Sequence, residues 1–204
     1  MKLLISTPCY NNQLDSRMVA SVVNVIKEFF LRKESLNWDR PSSPLIAYNR
    51  NVSAYTAIKE DYDWLLFWDA DISVEEPDFI FKMIDTAYKE NADIVGLPVR
   101  LKTLAEKKYN CAVRKEDKYI NYAGDFPKEP FSVDVIGTGI MLIRVEMLKK
   151  LTPPWFSFTE TFHMGRVGFF PEDWFFCEQV KKIEGSIIAD PRFTVAHYGT
   201  YPFQ

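Results

Sequence analysis

The sequence predicts an α/β protein in which helices pack against a central, mostly parallel mixed sheet. Two observations carry this prediction. Short apolar runs of strand length alternate along the chain with longer segments whose apolar residues recur every three or four positions. In addition, the run at 64–68 (WLLFW) is apolar at every position, which is typical of a strand buried on both faces of a sheet.

The composition narrows the class of protein. Of 204 residues, 47% are hydrophobic and 15% aromatic, enough for one domain with a substantial core, alone or within a longer protein. The net charge is −3 without a basic block, so nucleic acid is a poor partner. The three cysteines lie far apart, which fits a reducing compartment, and no apolar run has transmembrane length. We therefore expect one domain over 1–204 and a cytoplasmic location.

In the first half of the chain, strand patterns are followed by helix patterns. Pro8 ends the first strand because proline cannot donate to a sheet, and the asparagine pair after it suits a loop. The predicted elements are a strand at 2–6, a helix at 16–32, a possible short strand at 36–38, a helix at 46–59 and a strand at 64–68.

The second half continues the alternation less regularly. Pro77 occupies the first position of a helix, which proline tolerates. The remaining predictions are a buried strand at 92–99, a strand or hairpin near 109–123, a strand in 131–144 interrupted by Gly137-Thr138-Gly139, a helix at 145–151, a long loop at 152–171, a helix at 172–184 and a strand at 186–189.

Two carboxylates follow the apolar strand at 64–68. Asp69 and Asp71 are two positions apart, so both leave the strand on the same side, at the carboxyl end where open α/β sheets bind ligands. Two unpaired carboxylates repel each other, and Mg²⁺ or Mn²⁺ would relieve that repulsion because both ions prefer oxygen ligands. The alternative is a strand end that passes into a solvated turn.

Several motifs in a fixed order resemble one family. Pro8-Cys9-Tyr10-Asn11, Arg50-Asn51, Asp69-Ala70-Asp71, Gly137-Thr138-Gly139, Glu172-Asp173 and His197-Tyr198-Gly199 together are similar to motifs of GT-A-fold glycosyltransferases of the family 2 type, most of all to compact phage, large-virus and bacterial members. The resemblance implies a Rossmann-like GT-A fold, with a nucleotide-sugar-binding half at 1–100 and an acceptor and catalytic half at 101–204. It also implies metal-dependent transfer of a sugar from a nucleoside-diphosphate sugar to a hydroxyl group.

The resemblance assigns donor-binding roles in the first half. Asp71 would bind Mn²⁺ or Mg²⁺, and Asp69 would contact the ribose or the metal through water. The remaining donor-side residues are Thr7, Pro8 and Tyr10 at the base and ribose, Arg50 and Asn51 facing the nucleotide, and Ala70 within the metal motif. Arg50 would either neutralise the diphosphate or pair with an Asp of the metal motif. The family usually has a second strand that ends in paired Asp residues. Here only Asp39 is available, with no apolar strand before it, so its role in reading the base is a guess.

The resemblance assigns catalytic roles in the second half. Asp173 would be the general base of an inverting displacement, with Glu172 orienting the acceptor or Asp173; the alternative is that both acids simply favour a helix N-terminus. His197 would be a further metal ligand or a diphosphate contact. The glycines at 137 and 139 would leave room beneath the sugar around Thr138, Trp174 would stack on a sugar ring, and 165–168 would form a lid.

The expected donor is a UDP-sugar, with a GDP-sugar next, and the acceptor is a glycan or another hydroxyl compound. Three other functions stay open. A haloacid-dehalogenase-type phosphohydrolase also begins with Asp-x-Asp after an apolar strand, but it needs a further acidic pair to hold Mg²⁺. A sugar nucleotidyltransferase needs a glycine-rich first loop, which this sequence does not have. A non-catalytic module would keep only the donor pocket.

Overall fold

A computed structural model describes residues 1–104, 106–116, 118–163, 166–199 and 202–203, with the side chains of 161–163, 166–167 and 202–203 left undescribed. The helices are α1 (Ser16–Leu31), α2 (Ile46–Lys59), α3 (Phe79–Lys89), α4 (Val145–Lys150) and α5 (Glu172–Lys182). The strands are β1 (Lys2–Ser6), β2 (Ser35–Asp39), β3 (Trp64–Trp68), β4 (Ile72–Val74), β5 (Ile94–Gly96), β6 (Lys108–Lys115), β7 (Lys118–Ala123), β8 (Phe131–Ser132), β9 (Val135–Ile136), β10 (Ile140–Arg144), β11 (Thr159–His163), β12 (Arg166–Phe170), β13 (Ile187–Ala189), β14 (Val195–Tyr198) and β15 (Pro202–Phe203).

A seven-stranded sheet forms the centre, in the order β2-β1-β3-β10-β5-β13-β8. Strands β2, β1, β3, β5 and β13 run in one direction, while β10 and β8 run in the other. The prediction of an α/β protein with a mostly parallel mixed sheet is therefore confirmed. None of the helices in the described ranges is long and apolar enough to cross a membrane.

Strand β3 divides the core between the two faces of the sheet. All five of its residues are buried. Trp64, Leu66 and Trp68 pack with apolar residues of α1 and α3 on one face. Leu65 and Phe67 pack with residues of α2, α4 and α5 on the other. Side chains that alternate along the strand thus pack into two separate hydrophobic clusters, one on each face of the sheet. This explains why the sequence shows an unbroken apolar run.

Strand β2 corrects the sequence-based interpretation of the region before Asp39. The sequence indicated at most a three-residue strand there, but β2 has five residues, pairs in parallel with β1 and ends at Asp39. It lies at the edge of the sheet, where Leu36 and Trp38 are half-buried and the other three residues of the strand are exposed. An edge strand needs little apolar content, so the strand that the resemblance requires is present despite its weak signal.

Three regions differ from the prediction in detail. The expected loop at 152–171 contains an antiparallel hairpin of β11 and β12. Gly165, expected at one end of a lid, and the side chain of His163, considered as an acceptor-side residue, lie outside the described residues. Short strands β4 and β14 were not predicted, and they pair with each other antiparallel. Helix α3 begins two residues after Pro77.

Candidate functional site

The turn after β3 is held on both sides. The backbone N–H of Asp69 donates to the carbonyl of Gly139 at 2.9 Å, and the N–H of Asp15, the N-cap of α1, donates to the carbonyl of Ala70 at 2.9 Å. Strand β4 follows the turn, and the N–H of Tyr198 in β14 donates to the carbonyl of Asp71 at 2.8 Å. The local backbone therefore fixes both predicted carboxylates at the end of a central strand.

His197 lies next to Asp71 because β14 pairs with β4. Its Nε2 is 3.5 Å from Asp71 Oδ1, and its Nδ1 is 2.9 Å from the carbonyl oxygen of Arg100. A hydrogen bond from Nδ1–H to a carbonyl leaves Nε2 free to accept, which is the usual arrangement of a metal-binding histidine. The structure thus brings together the two strongest metal-ligand candidates of the sequence.

Lys102 is a site residue that the sequence analysis missed. Its ammonium pairs with Oδ2 of Asp71, and both side chains are partly exposed. Burial would raise the pKa of Asp71, but hydrogen bonds and charge interactions with His197 and Lys102 outweigh burial and lower that pKa below its ordinary value. The lowered pKa favours the ionised form of Asp71, which is the form that can bind a cation.

Arg50 connects the two predicted acidic motifs. Its side chain is only 6% exposed, its Nη1 donates to Oε1 of Glu172, and its Nη2 is 3.5 Å from Oδ1 of Asp69. The Nε–H of Arg50 has no hydrogen-bond partner among the described residues. Burial raises the pKa of both Asp69 and Glu172, while the charge of Arg50 opposes that rise. Glu172, the first residue of α5, thus forms an ion pair with Arg50 of α2.

Asp173 lies in the first turn of α5 beside the glycine segment. Its Oδ1 accepts from the backbone N–H of Trp174 at 2.8 Å, and its Oδ2 would be 3.2 Å from a Cβ placed on Gly137. Burial raises the pKa of Asp173, and the charge of Arg50 and backbone hydrogen bonds, one of them from Thr138, oppose the rise. A buried carboxylate with a raised pKa is a better proton acceptor near neutrality than an exposed one.

The segment Gly137-Thr138-Gly139 joins β9 to β10 and allows close approach. A Cβ on Gly137 would be 3.0 Å from Nδ2 of Asn110, and one on Gly139 would be 2.8 Å from Cδ1 of Ile72. Thr138 is buried, and its hydroxyl has no hydrogen-bond partner among the described residues. The two glycines therefore allow the side chains of Asn110 and Ile72 to pack closely against this segment.

Two cavities meet at Arg50 and Asp69. The first, here called the large cleft, has a volume of about 610 Å³ and is lined by Pro8, Tyr10, Gln13, Leu14, Asp15, Ile46, Arg50, Asp69, Ala70 and Asp71. The second, here called the small pocket, has a volume of about 190 Å³ and is lined by Arg50, Asp69, Ile72, Val99, Leu101, Asn110, Gly137, Thr138, Gly139, Glu172, Asp173 and His197. Most of the residues predicted from sequence line one or the other.

Four predicted residues line neither cavity. The hydroxyl of Thr7 accepts from the indole of Trp38 at 2.9 Å. Asp39 Oδ1 accepts from the N–H of Arg40 at 2.8 Å. The amide of Asn51 ties α2 to the backbone of 155–156, donating to one carbonyl at 2.7 Å. The fourth residue, Trp174, packs among aromatic rings, with its centroid 5.0 Å from that of Tyr119 and 6.2 Å from that of Phe170.

Comparison with known proteins identifies the fold. The sequence matches no protein-family model and has no significant match among curated proteins. Among solved structures, it is similar to A197 from STIV, with a TM-score of 0.63 and 22% identity over 98% of this chain and 86% of the other. A putative glucose-1-phosphate thymidylyltransferase from Bacillus anthracis gives a TM-score of 0.53 at 13% identity, over 97% of this chain and 89% of the other.

A third similar structure is a Drosophila β-1,4-galactosyltransferase 7 variant in complex with manganese, UDP-Gal and xylobiose. Its TM-score is 0.52 at 12% identity, over 93% of this chain and 64% of the other. The chain has the GT-A fold. The resemblance drawn from the sequence motifs is therefore confirmed at the level of the fold, which glycosyltransferases share with nucleotidyltransferases.

In this GT-A fold, the residues around Asp71 fit a divalent cation that also binds substrate. Among the described residues, no group of three or more His, Cys, Asp and Glu side chains forms a complete metal site. Asp71 and His197 supply one carboxylate and one oriented imidazole within 3.5 Å of each other. Mg²⁺ usually takes only one or two protein ligands and completes its shell with phosphate oxygens and water, so this pair suits a cation shared with a diphosphate.

Proposed function

We propose that this protein is a glycosyltransferase that moves a sugar from a nucleoside-diphosphate sugar to a hydroxyl group of an acceptor such as a glycan. One observation carries the proposal: Arg50 and Asp69 stand in the walls of both cavities, Asp71 lines only the large cleft, and Asp173 lines only the small pocket. The group that would hold the leaving diphosphate and the group that would take up the proton thus lie in adjoining cavities, so that the anomeric carbon would lie between them, as a displacement requires.

The large cleft would hold the nucleotide and its diphosphate. Pro8 and Tyr10 stand on its wall, and the Tyr10 ring is 64% exposed, so it is free to pack on a base or ribose. Asp71, which lines the cleft, and His197, which lines the adjoining small pocket, would hold Mn²⁺ or Mg²⁺, which stabilises the negative charge of a leaving diphosphate when bound. Arg50 would add a fixed positive charge where the two cavities meet.

The small pocket would hold the sugar, with Asp173 as the general base. The acceptor oxygen would form a bond to the anomeric carbon while the bond from that carbon to the diphosphate breaks, and the acceptor proton would pass to the Asp173 carboxylate. A single displacement of this kind inverts the configuration of the anomeric carbon. Glu172 would position Arg50 through their ion pair, and Arg50 would in turn position Asp69.

A UDP-sugar is the first donor to test and a GDP-sugar the second. The galactosyltransferase that shares this fold was solved with UDP-Gal and manganese, which supports that order. The thymidylyltransferase of the same fold makes nucleotidyl transfer the strongest competing activity. The two activities give different products, because a nucleotidyltransferase releases pyrophosphate from a nucleoside triphosphate and a sugar phosphate.

The proposal is tested by incubating the protein with UDP- and GDP-sugars, Mn²⁺ or Mg²⁺ and a panel of glycan acceptors, and by measuring release of the nucleoside diphosphate. We expect release that requires the metal and falls at least about tenfold in Asp71→Asn. Asp85→Asn is the matched control, because Asp85 is an exposed carboxylate on α3 that lines neither the large cleft nor the small pocket.

Two results would contradict the proposal. Pyrophosphate release from UTP or dTTP with a sugar 1-phosphate, without any diphosphate release from nucleotide sugars, would assign nucleotidyl transfer instead. Phosphate release from simple monoesters that depends on Asp69 would assign the phosphohydrolase reading, in which the first Asp is a nucleophile.

A further inference from the structure

The small pocket has a size and a charge that restrict which sugar it can take, and this inference rests on the proposed function. Its volume of about 190 Å³ equals the liquid volume of roughly six water molecules. Sites for drug-sized ligands are larger, at about 300–1,000 Å³. The pocket is therefore matched to one compact ring.

The pocket has little room to expand in two directions. In one direction, the Gly139 backbone already contacts the Ile72 side chain, because a Cβ on Gly139 would approach Cδ1 of Ile72 to 2.8 Å. On one wall, Val99 is buried and Leu101 half-buried, and both present only methyl groups. A bulky acyl substituent on the sugar would have to displace one of these side chains.

Acidic side chains outnumber the single arginine among the polar residues that line the pocket. Asp69, Glu172 and Asp173 contribute three carboxylates, and Arg50 pairs with the first two of them. On Asn110, Oδ1 accepts from the N–H of Val99 at 2.8 Å, and Nδ2 is 3.3 Å from the carbonyl of Gly137. Hydroxyl groups that donate would satisfy these acceptors, whereas a carboxylate on the ligand would face like charge in a confined space.

We propose that the small pocket selects a neutral, unsubstituted hexose or pentose as the transferred sugar and excludes N-acylated sugars by size and uronic acids by charge. Leu101 is the specificity-determining residue against N-acyl groups. Its neighbours in sequence also touch the site, since the carbonyl of Arg100 holds His197 and Lys102 pairs with Asp71. Residues 100–102 thus contribute to the pocket wall and also contact His197 and Asp71, the proposed cation-binding side chains.

The inference is tested by measuring dissociation constants of UDP, UDP-glucose, UDP-galactose, UDP-xylose, UDP-N-acetylglucosamine and UDP-glucuronic acid by calorimetry with Mn²⁺, together with the commercially available GDP-sugars. We expect a neutral hexose or pentose to bind at least about tenfold more tightly than the glucuronic acid or N-acetyl compound with the same nucleotide. Comparison within one nucleotide makes the result independent of which base the cleft prefers.

Two variants sharpen the test. Leu101→Ala should improve binding of UDP-N-acetylglucosamine relative to UDP-glucose by about tenfold, because it opens the wall, while leaving the affinity for UDP alone unchanged. Leu104→Ala is the matched control, because Leu104 lies three residues further along the chain, is 78% exposed and does not line the small pocket. Equal affinity for all sugars of a nucleotide, or preference for the glucuronic acid compound, would overturn the inference and leave the proposed function standing. If neither nucleoside diphosphates nor their sugars bind, both are overturned.

Discussion

The large cleft and the small pocket share two lining residues but differ in how far their other lining residues are exposed to solvent. The cleft is bordered by side chains that reach into solvent, such as Tyr10, which is 64% exposed. The small pocket is bordered by groups withdrawn from solvent, with Thr138 only 1% and Glu172 only 6% exposed. Changes in the cleft should therefore alter binding with little effect on folding, whereas changes in the pocket should alter the rate, the stability or both.

The largest expected effect belongs to Asp173, the proposed base in the small pocket. Asp173→Asn keeps the shape of the side chain and removes its ability to take a proton. We expect the transfer rate at saturating donor to fall by about 10²–10⁴-fold, since general base catalysis contributes that much. Nucleotide affinity should stay unchanged. Asp134→Asn serves as control, because Asp134 is not part of the site. A rate within threefold of wild type would remove Asp173 from the mechanism.

The next effect concerns the residue that the two cavities share. Arg50→Met leaves Asp69 and Glu172 without their buried counter-charge, which should lower the free energy of unfolding by about 3–5 kcal/mol, measured by urea denaturation. Arg32→Met is the control: Arg32 forms a partly exposed pair with Glu28 at 3.5 Å, whose loss should cost less than about 1 kcal/mol. Equal losses in both variants would show that Arg50 does not hold the site together.

A smaller effect is expected at the rim of the large cleft. Tyr10→Ala should weaken binding of the preferred nucleoside diphosphate by about tenfold through lost stacking, without a change in the free energy of unfolding. Tyr48→Ala is a close match, because Tyr48 is 59% exposed on α2 and lines neither the cleft nor the pocket. A Tyr10 variant that unfolds more easily yet binds normally would reverse the distinction between the two cavities.

The smallest effect is expected at the partly exposed pair of Lys102 and Asp71, beside the proposed cation site. Lys102→Met removes an ammonium group that competes with a metal cation for the carboxylate of Asp71. Mn²⁺ alone should therefore bind about fivefold more tightly. The free Mn²⁺ signal in electron paramagnetic resonance measures this directly. The control is Lys107→Met, which replaces an exposed lysine five residues further along the chain and should bind Mn²⁺ like the wild type. Unchanged or weaker Mn²⁺ binding in the Lys102 variant would contradict a cation site on Asp71.

The sequence predicted the central features because local patterns encode them. The apolar run of β3 and the two carboxylates after it are both visible within eight residues. Strand β2 was underestimated because an edge strand alternates half-buried and exposed residues, and Asn37 breaks its apolar pattern. The hairpin of β11 and β12 was interpreted as a loop because Gly165 and Gly168 were taken as loop residues.

Other features of the site depend on contacts between residues far apart in sequence. Lys102 reaches Asp71 across 31 residues, and Arg50 reaches Glu172 across 122. The amide of Asn51 is used to fasten α2 to a backbone segment 104 residues away, which no local pattern reveals. The family resemblance named Arg50, Asp71 and His197, but their mutual arrangement comes from the sheet order.

The position of β10 has a consequence for any attempt to divide the molecule. This strand belongs to the half of the chain after residue 100, yet it lies between β3 and β5, both of which precede that point. Cutting the backbone near residue 100 would deprive both inner strands of a hydrogen-bonded neighbour. The parts of the chain before and after residue 100 consequently form one cooperative unit, and neither should fold as an independently expressed fragment.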